Sequence, residues 1–283
     1  MRVRPPAHAG TFYPATPEDL VRAIEDSFRS PLGPGGLPPK TFSEPLSPAY
    51  LVPHAGYMYS GPVAAHAYYQ LSLEERPELV VIVGPNHTGL GLAASVYTEG
   101  YWKTPLGEVP VDSEAAKLMV EYSGFLAPDE KAHLYEHSVE VQLPFLQYLY
   151  GEPRIVPIVV LHQTLDVAYR IAAAFRRLRE ENGVRAVMVA TSDLNHYEPY
   201  DVTVEKDRAV LDALASGDPR LLWRAIESRG VSACGPTPLA VVAVLSEEYG
   251  VKPVILKYAN SGDVTGEKSW VVGYPAARLP AAG

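Results

Sequence analysis

Three turns of this chain place an imidazole directly after an apolar run. Pro53-His54-Ala55-Gly56 follows Tyr50–Val52, Gly84-Pro85-Asn86-His87 follows Leu79–Val83, and Thr191-Ser192-Asp193-Leu194-Asn195-His196 follows Ala186–Ala190. A fourth turn, Ser232 to Pro238, carries Cys234, the sole cysteine. Two imidazoles with a thiolate or a carboxylate suffice to hold iron, copper or zinc and leave positions open for a substrate. His196 or Asp193 could then act as acid/base, orient a ligand or fill the coordination sphere. Taken singly, a histidine beside a glycine reads as a turn residue and a lone cysteine as a small buried hydrophobe. The repetition at successive apolar runs is what points to a metal cleft.

A competing string is His133-Leu134-Tyr135-Glu136-His137. On a helix this H-x-x-E-H pattern sets two imidazoles and a water-activating glutamate around zinc, which makes a zinc-dependent hydrolase an alternative. The loop 126–131 runs into the string and no distal glutamate stands out as a third ligand, so Glu136 and His137 read instead as pocket residues that support the ligands. Glu136 and Glu140, four apart, would share one helical face. The chain has no G-x-G-x-x-G, no G-x-x-x-x-G-K-[ST] and no G-x-S-x-G, so nucleotide cofactors and the α/β-hydrolase mechanism have no support.

For the histidine turns to meet, the runs before them must be neighbouring strands. Leu79-Val-Val-Ile-Val83 is uninterrupted and mostly β-branched, as a strand buried on both faces requires. Ile155–Val160, Ala186–Ala190, Val254–Tyr258 and Trp270–Tyr274 read as further strands, with Pro157 suggesting an edge or a bulge. Helical spacing predicts Pro17 to Phe28 capped by Thr16, Pro62 to Leu71, Ser113 to Tyr122, Glu136 to Tyr150 kinked or begun by Pro144, Asp166 to Glu181, Val204 to Ala215, Pro219 to Ser228 and Leu239 to Tyr249. Ser30 to Pro48, rich in proline and glycine, is a connection that cuts off too few residues for a domain. The alternation predicts one α/β domain over residues 1–283, its central sheet mostly parallel or mixed with helices on both faces. Ligands of such sheets bind at the carboxyl ends of the strands, where these turns lie.

Composition narrows the partners. The net charge is −9 and the basic residues are scattered, which argues against nucleic acid. No apolar run approaches the roughly 20 residues of a membrane span, and the arginines near the N-terminus precede no apolar stretch of the secretory kind. The expected location is the cytoplasm. One cysteine in 283 residues excludes an internal disulfide framework. The 27 prolines stiffen the loops.

Read together, His8-Ala-Gly-Thr-Phe-Tyr-Pro14, Pro53-His-Ala-Gly-Tyr-Met-Tyr-Ser-Gly61, Gly84-Pro-Asn-His87, Glu136-His-Ser-Val-Glu140, Thr191-Ser-Asp-Leu-Asn-His196 and Cys234-Gly235 resemble the Memo family, in the family's order. The resemblance implies a fold like that of the class III extradiol dioxygenases of the LigB type. It places His54 and His87 at the two ligand histidines and His196 at the acid/base position. Cys234 falls where those dioxygenases have a carboxylate ligand, and where Memo proteins have cysteine. A metal on His54, His87 and Cys234 follows, iron first, with copper or zinc as alternatives. A thiolate is softer and more easily oxidised than a carboxylate, which weakens the case for catechol cleavage. Phe12 stands where the family has a pocket tryptophan, and Tyr59 matches a pocket tyrosine. The expected function is a metal-dependent oxidoreductase. The alternative is a binding or scaffold protein that takes peptides or partners in the same cleft, as eukaryotic members do in motility signalling. Prokaryotic members often accompany a radical-SAM protein, which makes one an expected partner.

Overall fold

The computed structural model describes residues 2–282. The first half runs β1 (Val3–Arg4), α1 (Pro17–Arg29), β2 (Ala49–Val52), α2 (Tyr57–Leu71), β3 (Leu79–Pro85), β4 (Ala94–Val96), β5 (Tyr101–Thr104), β6 (Gly107–Pro110), α3 (Ser113–Ser123), β7 (Ala127–Pro128) and α4 (Leu143–Tyr150). The second runs β8 (Ile155–Val160), α5 (Leu165–Glu180), β9 (Ala186–Thr191), β10 (His196–Glu198), α6 (Tyr200–Ser216), α7 (Pro219–Ser228), α8 (Pro236–Tyr249), β11 (Val254–Asn260), α9 (Ser261–Thr265) and β12 (Val271–Leu279).

Nine strands form the main sheet in the order β10-β12-β2-β9-β3-β8-β4-β7, with β11 also paired to β12. The four in its middle, β2, β9, β3 and β8, are mutually parallel, and antiparallel strands flank them. Alternation of side chains divides the interior in two. Leu79, Val81 and Val83 of β3 face a layer that includes α3, α5 and α8, whereas Val80 and Ile82 face a layer built with α1, α2 and α4. Both faces of the central strands are therefore covered, which is why these runs are apolar throughout. The mixed α/β architecture is the one expected.

Several local expectations need correction. α2 starts at Tyr57, five residues before the expected Pro62, because the amides of Tyr59 and Ser60 already bond the Gly56 carbonyl. Pro62 lies inside the helix, in its second turn, where it offers the Met58 carbonyl no donor. Gly61 lies at the α1 crossing, where a Cβ would strike the Ser27 side chain. Residues 131–142 form two short 3₁₀ turns joined by irregular chain, and α4 proper begins only at Leu143 with Pro144 in its first turn. β8 is internal, not an edge. Pro157 accepts the Tyr97 amide just past the end of β4, so its missing donor falls on the β4 side, at the point where that ladder stops. The short strands β1, β4, β5, β6, β7 and β10 carry too little periodic signal to be anticipated.

Candidate metal centre

Parallel order gives the site its shape. β9 lies between β2 and β3, so the turns after Val52, Thr191 and Pro85 open side by side at the carboxyl ends of three adjacent strands. Cys234 reaches the same edge from the start of α8. Its amide bonds the Asp193 carbonyl at 3.3 Å. Gly235 permits this approach, since a Cβ there would lie 2.8 Å from the Thr191 carbonyl oxygen. The ligand atoms of His54, His87 and Cys234 all fall within 4.8 Å of one another, as do those of Asp193, His196 and Cys234.

The hydrogen bonds assign the tautomers. Thr191 Oγ1 gives its only hydrogen to the Val52 carbonyl, 2.8 Å away, so His54 Nδ1, also at 2.8 Å, must donate to it. His87 Nδ1 donates to Glu136 Oε1 at 2.8 Å. In each ring the Nε2 lone pair is therefore free for a metal, the arrangement that carboxylate and hydroxyl partners impose on metal-binding histidines. His54 Nε2 is 3.1 Å from Cys234 Sγ. The Asp193 amide donates to this sulfur, at 3.2 Å.

Glu136 is wholly buried and accepts from the His87 backbone, the His87 ring and the Ser138 amide. Burial pushes its carboxyl up, but the bonds from His87 and the neighbouring imidazoles outweigh this and bring it down to about 2. His137 stacks between Phe12 and His87, with ring centroids 4.4 and 4.5 Å away. Burial and the nearby His54 bring His137 down to about 3, so it is a neutral ring at physiological pH. Burial lowers His54 too. It raises the Cys234 thiol, with the Asp193 charge adding to the effect. The Asp193 carboxyl, buried, is raised to about 6 despite accepting the His54 amide at 2.9 Å.

His196 is held by Ser232: its amide donates to Ser232 Oγ at 2.7 Å, and its Nδ1 to the Ser232 carbonyl at 2.8 Å. Asp193 accepts from the His54 backbone and does not bond His196. Ser232 is fixed in turn by Asn195 Oδ1. Thr191, Ser232 and Asn195 escaped the sequence reading because hydroxyl and amide residues in a turn look like ordinary turn chemistry. Their position beside histidines was the available signal.

Phe12 is kept in place by a buried ion pair. Arg4 Nη1 lies 2.6 Å from Glu140 Oε2 with both side chains inaccessible to solvent. Glu140 also accepts from the amides of Ala7 and His8 and from the Tyr13 hydroxyl, so residues 4–13 are strapped against the 136–140 turn. Glu136 and Glu140 do not share a face, because their segment is not an α-helix: one supports His87, the other holds the strap. Tyr59 stands on the other side, in a groove with Tyr197, Trp270 and Tyr274. His133 belongs to none of the ligand groups. It is fully buried between Tyr97 and Trp102, with ring centroids at 5.7 Å to each, so the two histidines of the H-x-x-E-H string do not share an ion; Glu136 and His137 fall instead with His87, their ligand atoms within 4.8 Å of one another.

No helix among the described residues is long and apolar enough to cross a membrane. The model of the Memo-like proteins matches residues 4–278. A MEMO1 family protein of Aeropyrum pernix is 64% identical over 281 residues, covering 99% of this chain and all of that relative. Those of Ignicoccus hospitalis and Sulfolobus acidocaldarius are 51% and 50% identical, covering 99% and 98% of this chain and 99% of each relative. An uncharacterized protein of Escherichia coli K12 shares the fold, with a TM-score of 0.58 at 14% identity over 83% of this chain and the whole of that structure. With a match along nearly all its length and relatives this similar, the chain belongs to the Memo family.

Proposed function

We propose that the protein is a metal-dependent oxidoreductase that binds its ion, iron in the first instance, through His54 Nε2, His87 Nε2 and Cys234 Sγ. The observation that carries this reading is the paired tautomer assignment: both Nδ1 atoms are engaged as donors, so both Nε2 lone pairs are available beside one sulfur. A softer N₂S donor set of this kind suits iron, copper or zinc. The ion would supply redox or Lewis-acid chemistry at positions the protein leaves open. His196, its Nδ1–H committed to the Ser232 carbonyl, presents Nε2 as the proton acceptor for a substrate in the cleft. Asp193 anchors the His54 turn from below. Phe12 and His137 form an apolar wall that excludes water and fixes the His87 ring plane.

The test is elemental analysis of protein purified without air or chelator. Near-stoichiometric iron or copper in the wild type, lost in Cys234→Ala, supports the reading. Wild-type protein that is metal-free and takes up no added iron, copper or zinc overturns it.

A second reading, a cleft that binds a peptide or a partner such as a radical-SAM protein without turnover, is favoured by the exposed side chains near the cleft. Met58, Tyr135, Tyr197 and Trp270 are between 60% and 72% exposed. Peptide or partner binding that is equally strong with and without metal would favour it.

A further inference from the structure

Next to His196, on the far side of Tyr197, lies a groove of about 500 Å³ that the metal chemistry leaves unused. Its walls are Tyr59, Tyr197, Trp270, Val272 and Tyr274, and the acidic side chain among them is Glu267. Tyr197 directly follows His196, with ring centroids 5.5 Å apart, and leans on Trp270 at 5.7 Å and 59°. The Tyr197 backbone has φ +61°, a left-handed conformation that an aromatic residue adopts only at a cost. That conformation leaves the ring 66% exposed beside a Trp270 that is 60% exposed. Burying these two rings in the core would have been the ordinary outcome.

Aromatic faces carry negative electrostatic potential, and four such rings with a carboxylate make an environment complementary to positive charge. Glu267 is held in place by the Ser269 amide at 2.7 Å. Among the described residues, no basic side chain lines the groove. Lys268, next to Glu267, turns away and lies over the Tyr200 ring at 4.6 Å, so it does not fill the space itself. The geometry points to a binding site for an organic cation, a quaternary or alkylated ammonium group, between Tyr197, Trp270 and Glu267. The site stands on the aromatic groove alone and does not depend on the metal reading.

The probe is choline, titrated into the full chain as purified, whatever its metal content, with heat or tryptophan fluorescence as the readout. Its neutral isostere 3,3-dimethylbutanol is the control. Saturable choline binding is expected, at least about tenfold tighter than the isostere. Trp270→Leu should weaken it roughly five- to thirtyfold, the range of one desolvated cation–aromatic contact. Glu267→Gln should weaken it about threefold or more and flatten its salt dependence. Both positions are on the surface, so folding is retained and far-ultraviolet circular dichroism checks it. Absence of saturable choline binding, equal binding of the isostere, or unchanged affinity in folded Trp270→Leu overturns the assignment.

Discussion

Cys234 Sγ and His54 Nε2 are 3.1 Å apart across 180 residues of sequence. A contact this distant in the chain and this close in space comes from β9 lying between β2 and β3, which brings the turns after all three to one edge, and from the Asp193 carbonyl, which receives the Cys234 amide.

Thr191 is the residue that fixes the His54 tautomer. Thr191→Val keeps the shape of the side chain and removes its acceptor, so His54 is free to turn. Metal affinity, measured by competition with a chromophoric chelator, should fall about ten- to a hundredfold. Unchanged affinity would show that the hydroxyl does not orient the ligand.

Glu136 acts twice on His87, through backbone and ring. Glu136→Gln puts an amide donor against amides and an imidazole N–H that already donate. The variant should lose roughly 2–4 kcal/mol in urea unfolding, the cost of breaking a buried charged network. It should also bind metal less tightly. A stability loss with intact metal affinity would restrict Glu136 to a structural part.

The Arg4–Glu140 pair is inaccessible to water. Arg4→Met leaves Glu140 as an unpaired buried charge, so about 3–5 kcal/mol of stability should be lost. Hydrogen exchange should accelerate most in residues 7–13, the part of the strap that carries Phe12. Exchange rising evenly along the chain would mean that the pair does not act locally.

Asp207 gives a pH signature away from the proposed ligands. Burial raises its carboxyl to about 7, against hydrogen bonds from Tyr258 and the Asn195 amide. An acid raised in the folded state stabilises fully below its unfolded value near 4, and that contribution is lost as pH rises through about 7. Asp207→Asn cannot titrate. Its stability relative to wild type should therefore improve with pH across that window, with a slope approaching about 1.4 kcal/mol per pH unit. Parallel stability curves for the two proteins would refute the assignment.

Much of this arrangement could be read from residue order. Leu79–Val83 and Ala186–Ala190, apolar without interruption, identified strands covered on both faces, and the turns following them located the edge where ligands collect. The parts that escaped depend on contacts between distant segments. Nothing about Ser232 predicts that its carbonyl takes the His196 proton, and Arg4 gives no sign that it will be buried against Glu140. The H-x-x-E-H string misleads for a related reason. A five-residue pattern carries its chemistry only on a helix, and here His133, packed between Tyr97 and Trp102, ends a 3₁₀ turn after which residues 134–137 form a turn and irregular chain.

The position of β9 also orders events in the life of the chain. It is made after both of its neighbours, and Cys234 later still, so during synthesis the first two histidines exist without their sulfur partner. Until β9 inserts, β2 and β3 have no shared edge on which to bring His54 and His87 together. An ion held by all three ligands would consequently close on a nearly finished fold, locking the sheet rather than templating it.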